Sequence, residues 1–174
     1  LAFWPEDHLL WRDRSERVVV AGWQTGVDVF ELGSHWHHDE RGLTAFTRHL
    51  WPKGGMWDAG ETWASQLHRR LEGTSPARAV EDLGGVFTAL TVDRDGRGAL
   101  VTDALAATVL YRSENDDLVA YSSRASLAAR ATTPVGMEPA RDPWGMGWLT
   151  VMGYLVGDGT GYVGTTALPA GAWV

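Results

Sequence analysis

The sequence predicts an α+β fold. Three observations lead there. Between residues 84 and 123, short β-prone runs follow one another with turn residues between them. Segments of helical period flank that stretch on both sides, and neither repeats nor low-complexity tracts break the order. The composition permits a packed core: 44% of the 174 residues are hydrophobic, too many for a disordered chain. The length favours one domain, residues 1–174.

"RVVVAGW" (17–23) is a short β-branched run closed by Gly22 and reads as a buried strand. "TGVDVFELG" (25–33) reads as a strand or as an irregular continuation of it. "DERGLTAFTRHLW" (39–51) places Leu43, Phe46, Thr47 and Leu50 on one helical face, with Pro52 as its stop. "WPKGGMWDAG" (51–60) is a glycine-rich loop. "AGETWASQLHRRLEG" (59–73) carries Trp63, Leu67 and Leu71 at helical spacing, and Gly73 ends it. In "SPARAVEDL" (75–83), Ser75 is an N-cap and Pro76 takes the first helical position of a short helix.

The texture then turns to β. "GGVFTALTVD" (84–93) alternates over much of its length, and "RDGRG" (94–98) turns the chain at its Asp-Gly pair. "ALVTD" (99–103), "TVLYRS" (108–113), the turn "ENDD" (114–117) and "LVAYSS" (118–123) complete an antiparallel meander of four strands. "SRASLAARA" (123–131) reads as a serine-capped helix, and "DPWGMGWLTVMGYLVG" (142–157) as a mostly helical apolar segment with Pro143 near its start. The last stretch is turn, short strand and loop.

Charge and composition exclude several function classes. The net charge is −7 and no Lys/Arg block occurs, so no nucleic-acid partner is expected. No apolar run approaches the roughly 20 residues of a membrane span, and the first residues lack a basic n-region ahead of an apolar core, so a cytoplasmic location is expected. Without cysteine there is no disulfide, thiolate metal site or thiol nucleophile. The ten tryptophans fill a core or form an exposed aromatic patch that docks on something larger.

Two acidic sites draw the eye. "HWHHDE" (35–40) sets His35 and His37 on one strand face, or His35 and His38 on one helical face. Imidazoles and carboxylates so spaced hold zinc or another divalent ion, but no H-x-x-x-H or H-E-x-x-H pattern accompanies them, and a solvated loop explains the run. No metal ligand is therefore assigned. Asp103 ends a strand ahead of the small residues Ala104, Ala106 and Ala107. Its carboxylate is expected to accept N–H bonds from that loop and fix the crossing to the next run, a structural role, since no acid–base partner is evident. Asp116 and Asp117 sit in a predicted turn, and neither G-x-S-x-G, G-x-x-x-x-G-K-[ST] nor G-x-G-x-x-G occurs.

The order of segments from Leu83 to Ala129 resembles the second half of the glutaminase domain at the front of asparagine synthetases. Leu83-Gly84-Gly85-Val86-Phe87-Thr88 stands for L-x-G-x-F-A, leading a strand that ends at Asp93. "VTDALAATVLY" is similar to the family's Arg-Asp, Gly and Pro-Leu-Tyr stretch, with Asp103, Leu110 and Tyr111 matching. Thr102, Ala107 and Val109 replace the Arg, the Gly and the Pro. "LVAYSSRASLAA" is similar to the strand that ends in Ser, here Ser122, before a helix. Leu168-Pro169-Ala170-Gly171 matches Leu-Pro-x-Gly and gives a second anchor.

This resemblance implies the N-terminal-nucleophile hydrolase fold, a four-layer αββα sandwich of antiparallel sheets. Working glutaminases of the family begin with Cys, whose thiolate attacks the carboxamide while its own amine serves as base. This chain begins with Leu1 and has no cysteine. An Asn-Gly-Glu for the oxyanion hole is missing, and "AGETW" (59–63) lacks the leading acid of an Asp-Thr-Glu. The likeness is closest in kind to members that lost the nucleophile, β-lactam synthetases and the ring-closing enzymes of lasso-peptide pathways. It implies a scaffold without catalytic residues or cofactor of its own. ATP and Mg are then expected only in a following domain marked by Ser-Gly-Gly-x-Asp-Ser, which would be the C-terminal partner in cis or in trans. A homodimer is compatible with this. The alternative is a free-standing binding or interaction module on the same fold.

Overall fold

The computed structural model describes residues 9–14, 19–23, 35–53 and 61–174. These form an α+β structure with antiparallel strand pairs, divided into two compact units. Strands β1 (Leu9–Arg14) and β2 (Val19–Trp23) pair antiparallel as a two-stranded sheet. The strand expected at 17–23 is thus present, while the run 25–33 lies outside the described residues.

A four-stranded sheet is ordered β3-β4-β5-β6, with β3 (Trp36–Asp39), β4 (Gly42–Pro52), β5 (Leu83–Asp93) and β6 (Gly98–Thr102); β3 belongs to the first unit, while residues 47–51, 83–88 and 100–102 of the other strands belong to the second. Strand β4 corrects the helix expected over 39–51, and Trp51 and Pro52 belong to it rather than to a loop. The stretch Asp39-Glu40-Arg41-Gly42 is a two-residue hairpin turn, not a helix start: Asp39 pairs with Gly42, and the Asp39 carboxylate accepts the Arg41 N–H at 2.8 Å. Gly42 has a φ of 154°, and a Cβ there would lie 2.1 Å from the Val92 carbonyl oxygen. Residues Gly42 to Phe46 are all buried, so the strand is covered on both faces and its apolar residues show no alternation. Leu43, Phe46 and Leu50, expected on a helical face, are buried by the sheet, while Thr47 is exposed.

Helix α1 (Trp63–Gly73) starts at Thr62, whose hydroxyl accepts the Ser65 N–H. It buries Ala64, Leu67 and His68, and Trp63 and Leu71 are half-buried. Helix α2 (Pro76–Glu81) has Ser75 at its N-cap, bonded through its carbonyl to Ala79 rather than through its hydroxyl. The β5–β6 turn is the expected one at Asp95-Gly96, with Asp93 accepting the Arg97 N–H.

In the second unit, β7 (Tyr111–Glu114) lies between β8 (Val119–Ser122) and β9 (Thr165–Ala167) in a separate three-stranded sheet. The expected four-stranded meander is therefore two hairpins in two sheets. Tyr111 pairs with Ser122 on one side and with Ala167 on the other. Helix α3 (Ala125–Thr132) packs on all three of these strands. Its N-cap position is Arg124 and no side chain caps the helix, which corrects the expected serine cap; Ser122 accepts the Arg124 N–H, ahead of the helix. Helix α4 (Pro143–Met152) is capped by the Asp142 carboxylate and closed by Gly153 in the left-handed region. It buries only Gly145, while Trp144, Trp148, Val151 and Met152 stay exposed. No helix among the described residues is long and apolar enough to cross a membrane.

Candidate functional site

Two arrangements of side chains stand out, one in each unit. In the second, Asp103 is buried directly after β6. One carboxylate oxygen accepts the N–H groups of Leu105 at 2.9 Å and Ala107 at 3.3 Å, and the other that of Thr108 at 3.4 Å. The carboxylate organises the loop that carries the chain from one sheet to the next. The Asp103 backbone is tied as well: its N–H donates to Phe87, and its carbonyl accepts from Gly171.

The other motif residues fall around this crossing to different degrees. Phe87 and Leu110 are buried, and Leu110 accepts the Leu168 N–H. Pro169 accepts the Thr102 hydroxyl at 3.0 Å, and Gly171 has a φ of 62°. Tyr111 and Ser122 face each other across the β7–β8 ladder. Gly85 lies in β5 with a φ of 127°. Asp93, the last residue of β5, is exposed and paired with Arg97.

The first unit brings together His37, Asp39 and His68, with one ligating atom of each within 4.8 Å of the others. His37 and Asp39 are two apart on β3 and so share a face. Helix α1, which packs on β3, delivers His68. The His68 Nε2 stands 3.3 Å from one Asp39 oxygen, and the His37 Nε2 stands 3.7 Å from the other. The two rings are tilted at 5.2 Å. His68 is 7% exposed, whereas His37 and Asp39 are half-buried. Partial burial works against the Asp39 charge, but the Arg41 and Gly42 N–H groups and the two histidines outweigh it and hold the carboxyl below its ordinary pKa.

"HWHHDE" is thus strand and turn rather than a solvated loop, and neither expected histidine pair forms the cluster. His35 packs edge-on against Phe46, and His38 is exposed. The Trp63, Leu67, Leu71 stripe predicts the helix but does not single out His68. The signal was there in Ala64, Leu67, His68 and Leu71, spaced i, i+3, i+4, i+7. Comparison of the chain with family models, curated proteins and solved structures finds no match.

Proposed function

We propose that the chain is the glutaminase-like domain of an asparagine-synthetase-type, ATP-dependent amide-forming enzyme. It hydrolyses no glutamine and serves as scaffold for the synthetase domain. The observation that carries this reading is the meeting of its two sequence anchors. Asp103 and Leu110, from the first, bond through their carbonyls to the N–H groups of Gly171 and Leu168, from the second. Two short likenesses arising by chance have no reason to dock on each other across about 60 residues of chain. The division of β5–β6 and β7–β8 between two sheets agrees with the four-layer sandwich that this reading gives the chain.

On this reading the 174 residues, which hold no cysteine, offer no thiol nucleophile, while the sandwich is kept for its surface. The exposed Trp144, Trp148 and Val151 of α4 supply apolar area for the junction with the synthetase domain, which holds the ATP and Mg. A cytoplasmic location belongs to the same proposal. The test has two arms. The purified chain incubated with glutamine is expected to release no ammonia above the uncatalysed rate, and steady turnover would overturn the scaffold role. The native reading frame past Val174 is expected to encode Ser-Gly-Gly-x-Asp-Ser, and a stop codon directly after Val174 would overturn the link to a synthetase in cis.

A further inference from the structure

We propose that His37, Asp39 and His68 form a binding site for one divalent transition ion of the zinc class, with coordination positions left open to solvent. The site is independent of the scaffold reading and uses none of its residues.

Thr91 donates its proton to the Leu43 carbonyl at 3.3 Å, so its oxygen is left to accept from Thr44 at 3.1 Å. Thr44 has then spent its only proton. It lies 2.8 Å from the His68 Nδ1 and must accept there, which puts the ring proton on Nδ1. In the neutral ring the lone pair is therefore on Nε2. That nitrogen is buried and has no hydrogen-bond partner.

A buried acceptor without a donor is costly, and this one faces a second acceptor, the Asp39 carboxylate, at 3.3 Å. The two groups make no hydrogen bond with each other. A metal ion relieves both electron-rich atoms together. Ligand atoms around a tetrahedral zinc ion lie about 3.3 Å apart, given bonds of about 2.0 to 2.1 Å. The 3.3 Å between the His68 Nε2 and its Asp39 oxygen matches this; the His37 Nε2 stands 3.7 Å from the other Asp39 oxygen, and one ligating atom of each residue lies within 4.8 Å of the others, so the cluster closes on an ion with a small side-chain movement. Two imidazoles and one carboxylate are a donor set for zinc, copper, nickel or iron rather than for calcium or magnesium. The Thr44 bond to Nδ1 is the outer-shell contact that orients a metal-binding histidine. Three protein ligands leave a fourth position, and the exposure of His37 and Asp39 opens it to water.

The test uses the full chain without an affinity tag, stripped with a chelator and titrated with Zn²⁺ by calorimetry, with Mg²⁺ and Ca²⁺ alongside. One equivalent of Zn²⁺ is expected to bind, and neither hard cation. His37→Ala and Asp39→Asn change half-exposed positions, the Asn keeping an oxygen that can accept the Arg41 N–H, and each is expected to weaken binding at least about 100-fold. Thr44→Val, acting through His68, is expected to weaken it about 10- to 100-fold. Co²⁺ titration adds a spectroscopic readout, because visible absorption of the bound ion reports four-coordination and is lost in the Asp39→Asn chain. Absence of Zn²⁺ binding by the parent chain overturns the proposal, and so does binding that both His37→Ala and Asp39→Asn leave unchanged.

Discussion

Asp103 illustrates how one side chain shapes a chain crossing. Its carboxylate is 3% exposed and accepts three backbone N–H groups, of which the Leu105 bond is the shortest. Hydrogen bonds to a charged group contribute about 1.5 to 3 kcal/mol, and leaving buried N–H groups unpaired adds desolvation cost. In Asp103→Asn, one oxygen becomes an NH₂ that points a donor at backbone donors. The expected loss is about 2 kcal/mol of unfolding free energy, read from the urea midpoint. Asp116→Ala, in the exposed turn after β7, is expected to stay within about 0.5 kcal/mol. Equal small effects at both positions would mean that Asp103 does not organise its loop. Its role was legible in the sequence, because a strand-ending acid followed by small residues has few other uses for its oxygens.

At the level of elements, legibility followed the locality of the cause. Helix α1, Pro76 at the start of α2, the Asp95-Gly96 hairpin and Pro143 at the start of α4 depend on residues within a few positions, and the sequence shows them. Strand β4 depends on what covers it. Leu43, Phe46, Thr47 and Leu50 fit a helical period, but burial of both faces from Gly42 to Phe46 makes that period meaningless. The division of strands into two sheets rests on β9 pairing with β7 from about 50 residues away, which no local pattern records. His68 was hidden for the same reason, since a helix and a hairpin far apart in sequence assemble the cluster.

Helix α4 allows a paired test of local against tertiary effects. Both Gly145 and Gly147 cost helix propensity, by about 1 kcal/mol relative to alanine. A Cβ at Gly147 meets nothing within 4 Å, so Gly147→Ala is expected to stabilise the chain by about 0.5 to 1 kcal/mol. At Gly145 a Cβ would stand 1.9 Å from the Thr160 carbonyl oxygen, so Gly145→Ala is expected to destabilise by about 1 to 3 kcal/mol. Thermal unfolding of the two variants separates the cases by sign. A gain from both would mean that α4 does not pack on the Thr160 segment.

Across the whole chain, the last six residues have a structural task that their sequence alone does not announce. Strand β6 ends the order β3-β4-β5-β6, and its outer side is met by the segment from Pro169 to Val174. Leu100 exchanges both backbone bonds with Val174, Thr102 donates to Ala172, and Val101 bridges Trp173. The Thr102 hydroxyl reaches Pro169, and the Asp103 carbonyl takes the Gly171 N–H. Because Leu100, Val101 and Thr102 are themselves buried, removing this cover would leave an apolar strand edge with open N–H and C=O groups, a template for pairing between molecules. At about 1 kcal/mol for each lost bond, a chain truncated after Leu168 is expected to lose about 4 to 6 kcal/mol, a large share of a typical domain's stability. Urea unfolding should show the lower midpoint, and size-exclusion chromatography over a concentration series should show self-association beyond that of the full chain. A truncated chain with an unchanged midpoint and a single monomer peak would make the segment a passive tail. It would also remove the contact between Asp103 and Gly171 as an argument for the glutaminase-like fold.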